Sequence, residues 1–196
     1  MIATPLTDHE VVVRAQKGSE KAYRELLDRY QRPVFSLIYR MVRDREQAED
    51  LAQETFVRVF NHIDRYDPAY KFSSWIFKIA TNLTIDWMRK KEVPTVSIDG
   101  SRYATTSDEI EASTITVESK DETPEELLIA RELGDEIERA IGRLRPEYKT
   151  AILLRHVEDK PYEEIAQIMS LPLGTVKTYI HRGRKELQEM LAHTRV

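Results

Sequence analysis

Lys177, Thr178, His181, Arg182 and Lys185 fall on one side of a helical wheel drawn at 100° per residue. Their chemistry is recognition. Ammonium and guanidinium groups pair with phosphates, and hydroxyl, imidazole and guanidinium donors reach base edges. Val176, Tyr179, Ile180, Gly183, Leu187, Met190 and Leu191 form the opposite, apolar stripe. Pro172 and Gly174 interrupt any continuous helix upstream, and Thr175 is positioned to cap the new one. Before that break, Ile165, Ala166 and Met169 mark a short amphipathic helix. Two helices, a tight turn and a basic second helix are the layout of a helix-turn-helix whose second helix enters a DNA major groove. A solvated helix hairpin with a lysine-rich face is the competing reading of the second helix alone.

Two further helix faces carry chemistry. In the segment 44–65, Ala48, Leu51, Ala52, Thr55, Phe56, Val59 and Ile63 share a core face, and Asp50, Gln53, Glu54 and Val57 group on the other side. An apolar side chain among acids on an outward face suits a protein–protein contact with a polar rim. In the segment 73–91, Ile76, Ile79, Ala80, Leu83 and Trp87 form a buried stripe. Lys78, Asn82, Ile85 and Arg89 project elsewhere, Trp75 lies at the edge, and an aromatic loop precedes them at Tyr66, Tyr70 and Phe72. Cations that track phosphates beside aromatics that accept unstacked bases are the equipment of a single-strand binder.

The elements that must position these faces are helices. Thr7 or Asp8 starts a first helix through Lys17, and Ser19 a second to about Arg43 with Tyr23, Leu26, Leu27, Tyr30, Val34, Leu37, Ile38 and Met41 inward. Pro33 should kink that helix. Asp67-Pro68 marks a turn, and Ser73 or Ser74 should cap the fourth helix. Thr123-Pro124-Glu125-Glu126 is a helix start, followed by helices over about 124–143, 147–157, 161–170 and 175–192. The expectation is an all-α chain of two small helical domains, 1–92 and 124–196, joined by an acidic linker at 93–123.

Charge supports that division. The chain of 196 residues has net charge −4. Residues 1–92 carry 16 basic and 14 acidic side chains, 93–134 carry 3 and 10, and 135–196 carry 11 and 10. The acid excess is therefore central, and the two ends can be basic on chosen faces. There is no cysteine, which excludes disulfides and thiolate metal sites within these residues. The five histidines show no HxxxH pair, so no metal or other cofactor is expected. Asp8 and Glu10 interrupt any signal-peptide pattern, and a cytoplasmic protein is expected. Glu49 with Asp50, and Asp108 with Glu109, are sequence neighbours and do not converge as a catalytic pair on a helix, so an enzyme is not expected.

Three motifs in order extend these faces to a family resemblance. Ala48-Glu49-Asp50-Leu51-Ala52-Gln53-Glu54-Thr55-Phe56, then Phe72-Ser73-Ser74-Trp75-Ile76-Phe77-Lys78-Ile79-Ala80-Thr81-Asn82, then Gly174-Thr175-Val176-Lys177-Thr178, resemble a bacterial RNA polymerase sigma factor of the extracytoplasmic-function (ECF) group. The resemblance implies that Asp50, Gln53, Glu54 and Val57 dock on core RNA polymerase. It implies that Phe72, Trp75, Lys78, Asn82 and Arg89 meet the minus-ten strand, and that Thr175, Lys177, Thr178, His181, Arg182 and Lys185 meet minus-35 DNA. It also implies an anti-sigma partner, and a linker running through the polymerase cleft, where the acidic run would resemble RNA in charge. The chain departs from the family pattern at Ser170, where glycine is frequent, and at Tyr179, where arginine is frequent. An operator-binding helix-turn-helix regulator is the alternative. It accounts for 135–196 and leaves the faces around Asp50 and Trp75 without a purpose.

Overall fold

Helix starts in this chain are set by side-chain caps that satisfy otherwise orphaned backbone N–H groups. In the computed structural model, which describes residues 6–92 and 124–192, Thr7 and Glu10 form a reciprocal capping box at the head of α1 (Asp8–Gln16). Ser19 accepts from Ala22 N–H to start α2 (Glu20–Val42), and Asp44 accepts from Gln47 N–H to start α3 (Arg45–Asn61). Helix α2 runs through Pro33 without a break in the helix and stops at Arg43, which adopts the left-handed conformation. A 3-10 turn at Ile63–Arg65 follows α3, so the helix expected to reach Arg65 ends one turn earlier.

Next come α4 (Phe72–Glu92), α5 (Pro124–Arg143), α6 (Pro146–His156), α7 (Tyr162–Met169) and α8 (Leu173–Ala192). Two expected caps are corrected. Helix α4 begins at Phe72, one residue before Ser73, and Ser74 gives its hydroxyl to Glu164 at 2.8 Å. Helix α8 begins at Leu173, with the N–H groups of Thr175 and Val176 bonded to the Pro172 carbonyl, so Thr175 lies inside the first turn. The linker expected at 93–123 lies outside the described residues.

Every core residue expected on α3 is buried: Ala48, Leu51, Ala52, Thr55, Phe56, Val59 and Ile63. On α2, Leu26, Tyr30, Val34, Leu37, Ile38 and Met41 are buried, but Leu27 is exposed. On α4 the expected stripe is incomplete. Ile76, Ala80 and Leu83 are buried, and so are Ser74, Phe77, Thr81 and Thr84, while Ile79 and Trp87 are half-buried. At 100° per residue from Trp75, the first group lies between about 80° and 140° and the second between about 180° and 260°. Helix α4 therefore has two adjoining buried faces. One packs on α2 and α3, and the other accompanies its packing on α7 and α6. Helices α1–α4 and α5–α8 contribute to one hydrophobic cluster.

Helix α8 packs most heavily on α6. The contact depends on Gly183: an added methyl would sit 2.9 Å from Ile152 Cγ1 and 3.5 Å from Tyr148 Cβ. Gly183→Ala is expected to destabilise by about 1–2 kcal/mol, the overpacking cost less the helix-propensity gain. Gly134, on α5 with open space around it, takes the same substitution freely and should gain up to about 1 kcal/mol. Denaturant unfolding of both variants measures the contrast.

Candidate nucleic-acid interface

The basic face of α8 is open to solvent. Lys177, Thr178, His181, Arg182 and Lys185 are exposed, and Thr175 is half-buried. Thr178 Oγ1 donates to the Gly174 carbonyl at 2.9 Å. Tyr179 packs its ring, tilted by 55°, against Tyr148 of α6 at 5.3 Å between ring centres, so it seats the helix. Arg182 donates to the Tyr148 hydroxyl of α6 at 3.4 Å. Ser170 closes α7 at φ 54°, the left-handed conformation that favours glycine. Here serine occupies it directly.

The outward face of α3 is also free. Asp50, Gln53, Glu54 and Val57 are all exposed, Val57 at 52%. Glu54 pairs with Arg58 at 2.7 Å, both well exposed, and a solvated pair of this kind holds the carboxylate only weakly. No described helix is long and apolar enough to cross a membrane.

The strand-binding face expected on α4 is arranged differently. Phe72 is only 2% exposed and sits among the rings of Tyr30, Tyr66 and Trp75, at 5.3, 5.6 and 5.7 Å. It anchors the aromatic loop to α2 and offers almost no surface to a ligand in this form. Tyr30 beneath it donates to Asp8, and burial together with that carboxylate pushes its phenol far above the ordinary range. Trp75 and Lys78 are half-buried and line a cavity of about 350 Å³ with Arg65, Tyr66 and Tyr70. Asn82 is exposed. Arg89 is exposed but paired with Glu147 of α6 at 3.0 Å.

The far wall of that cavity is Gln167 and Ser170, from α7 and its turn. At its edge lies a carboxylate that the sequence did not single out. Glu164 is 6% exposed; its Oε1 accepts from Ser74 Oγ, and its Oε2 lies 3.1 Å from Lys71 Nζ. Lys160 Nζ completes the group at 3.2 Å from Oε1. Burial would raise this carboxyl, but the hydrogen bonds from Ser74 and Lys71 and the Lys160 charge outweigh it and hold the group below the usual range. A second buried ion lies nearby. Lys149, 3% exposed, donates to the Gly142 carbonyl at 2.9 Å and to the Met41 carbonyl at 3.2 Å, closing the ends of α5 and α2 together. Neither residue breaks the polar pattern of its helix, so periodicity holds no trace of their burial. Among the described residues no three His, Asp or Glu side chains gather as metal ligands.

A basic recognition helix, an acidic outward face and a basic-aromatic helix on one all-α chain delimit a class of DNA-associated transcription proteins. The sigma-70 region 2 family matches residues 26–93, and the sigma-70 region 4 family matches 134–187. The ECF RNA polymerase sigma factor SigW of Bacillus subtilis is 37% identical over 184 residues, covering 92% of this chain and 94% of that protein. The ECF RNA polymerase sigma-E factor of Escherichia coli is 33% identical over 184 residues, covering 93% of each. Among solved structures, CnrH in complex with the cytosolic domain of CnrY superposes with TM-score 0.63 at 20% identity, covering 95% of this chain and 97% of that one. The sigma factor RpoE of Bartonella quintana, with the anti-sigma factor NepR, superposes at 0.61 and 20% identity, covering 88% and 98%. At that identity the two structures speak to the fold alone. The chain belongs to the ECF group of RNA polymerase sigma factors. It is an alternative sigma factor, which binds core RNA polymerase and recognises promoter DNA.

The place of Phe72 makes a measurable distinction. Phe72→Ala should cost about 3–5 kcal/mol of stability, as removal of a core ring does. Asn82→Ala, at an exposed position, should leave the unfolding midpoint within about 0.5 kcal/mol of the parent.

Proposed function

We propose that the three faces divide the work of promoter opening. Asp50, Gln53, Glu54 and Val57 dock on core RNA polymerase. Trp75, Lys78, Asn82 and Arg89 take the non-template minus-ten strand, with Phe72 as the support beneath Trp75. Thr175, Lys177, Thr178, His181, Arg182 and Lys185 hold the minus-35 element in the major groove. The corresponding units are 1–92 and 124–196, with 93–123 as the acidic connection. The chain makes and breaks no covalent bonds itself, works in the cytoplasm beside the polymerase, and is held in check by an anti-sigma partner. Neighbours of the same fold bound to anti-sigma or cytosolic partner domains support that last assignment.

The observation that carries this reading is the α3 face. An acidic patch around an exposed valine has no use in a protein that only binds an operator. It has one in a protein that must be gripped by an enzyme while it holds DNA. Opening DNA costs about a few kcal/mol for the bases unstacked. Two short contacts on one chain offset that cost, because each raises the effective concentration of the other.

Transcription by core polymerase and this chain on a random promoter library, with sequencing upstream of the starts, tests the whole reading. Two conserved upstream blocks are expected; no stimulation over core alone would overturn it. Asp50→Lys with Glu54→Lys should abolish comigration with core polymerase and leave helical content unchanged, since both side chains are exposed. Lys177→Ala should weaken binding to the selected upstream block by about 1–3 kcal/mol if the lysine reads guanine, and the loss should vanish when that base is changed.

A further inference from the structure

The outward donors of α8 span an arc from Lys177 to Arg182, and one further cation stands at its edge. On a wheel at 100° per residue, Arg184 falls about 20° outside Lys177 and two turns further along the helix. It is exposed. A helix lying in a major groove turns the middle of its face to base edges and the margins to the phosphates of the groove walls. Arg184 occupies such a margin.

Arg184 faces an imidazole rather than a carboxylate. Its Nη2 and Nε lie 3.1 and 3.3 Å from Nε2 of His156, the last residue of α6, which is also exposed. Two other cations on these helices meet an acid four residues on: Arg155 meets Asp159 at 3.3 Å, and Lys185 meets Glu189 at 3.9 Å. The fourth residue after Arg184 is Gln188, and the fourth after His156 is Lys160. Among the described residues no carboxylate pairs with Arg184. Two N–H groups converging on one ring nitrogen need its lone pair, so the imidazole is neutral here and carries its proton on Nδ1. Partial burial of the ring, then the Arg184 and Arg155 charges, hold it below the ordinary histidine range. Arg155 is itself turned to Asp159 and the Tyr162 ring. Helices α2, α4 and α7 also pack on α6, and among the described residues they bring no charge to bear on His156.

We propose that Arg184 and His156 form a seat for one backbone phosphate of the minus-35 duplex, in which the imidazole gains a proton and both residues donate to the same anion. The proposal rests on the assignment of α8 to the minus-35 element. A phosphodiester oxygen offers the guanidinium a stronger acceptor than Nε2 does. The freed Nε2 takes a proton from solvent and becomes a donor, so the phosphate lies between two cations. The place suits an imidazolium, because the last turn of α6 is the negative end of its helix dipole. The nearby Arg184 charge opposes protonation in the free chain, and the phosphate offsets that charge in the complex. The bound state therefore holds one more proton than the free state. Affinity rises as pH falls through the imidazole range and levels off once the free chain is protonated as well.

The test uses holoenzyme, assembled from core polymerase and the full chain, on a promoter fragment carrying the blocks selected from the random library. Dissociation constants are measured at about pH 8 and about pH 6, which bracket imidazole titration, for the parent, His156→Gln and His156→Lys. Glutamine accepts from Arg184 and never charges; lysine is always charged. From the higher to the lower pH the parent should gain roughly three- to tenfold relative to H156Q, within what one added proton allows. H156K should hold at the higher pH the advantage over H156Q that the parent shows only at the lower. His181 and the remaining histidines are common to all three proteins and cancel in the comparison. Arg184→Gln should abolish the parent's pH-dependent gain and lower the salt slope of binding by about 1. If His156 only propped Arg184, H156Q would match the parent at both pH values and H156K would bind worst; that outcome overturns the proposal. If Lys177→Ala also leaves binding of the upstream block unchanged, the minus-35 reading fails and the seat with it. A Lys177 effect beside equal pH profiles for the parent and H156Q defeats the seat alone.

Discussion

Helix α4 is buried from two sides, and most of the molecule is arranged around that constraint. Its first face, Ile76, Ala80 and Leu83, belongs to the helices before it in the chain. Its second, Ser74, Phe77, Thr81 and Thr84, is associated with the helices after the linker. What is left for solvent is a strip carrying Lys78, Asn82 and Arg89, with Trp75 at its border. A helix used this way cannot present a broad surface to a ligand until one neighbour leaves. The neighbour contacting the more polar face is the one suited to leave.

The two faces differ in what separation would expose. Aliphatic side chains on the first face gain about 25 cal/mol for each Å² kept from water, and nothing compensates their exposure. On the second face Lys160 lies over the Phe77 ring at 5.2 Å, and the ring is flanked by hydroxyls. Its loss to water is smaller per unit area. Lys149 works in the opposite direction. A buried ammonium between two helix ends favours closure, because leaving either carbonyl without its donor carries a desolvation cost. The junction is thus neither a permanent core nor a loose collision.

Much of this was legible in the sequence, and the exceptions have a common cause. The α3 core face was recovered residue by residue because that helix has one buried side, and a single stripe is what periodicity detects. The same reasoning found the exposed face of α8 and the seating role of Tyr179. It failed on α4, where a second stripe of Ser, Phe and Thr looks polar enough for solvent. It failed on Glu164, which follows an exposed Glu163 and whose burial is a property of another helix's surface. The burial of Phe72 was hidden for a related reason. A ring at a loop–helix boundary has the same sequence appearance whether it faces a ligand or fills a gap beneath one. The caps expected at Ser74 and Thr175 were displaced because Ser74 serves Glu164 and α8 begins two residues earlier.

The engaged cations share a feature: the partners of Lys71 and Arg89 are carboxylates of the same chain. Glu164 and Glu147 are anions facing Lys71 and Arg89, as phosphates would be. A helix rich in exposed cations attracts the nearest acid on its own polypeptide by Coulomb attraction. A chain with net charge −4 has no shortage of candidates. The self-contact is a consequence of that charge: the cations of α4 are partnered by carboxylates of α6 and α7. The acidic face of α3, by contrast, stays open to solvent, because no cation of another helix is paired with Asp50 or Glu54 among the described residues.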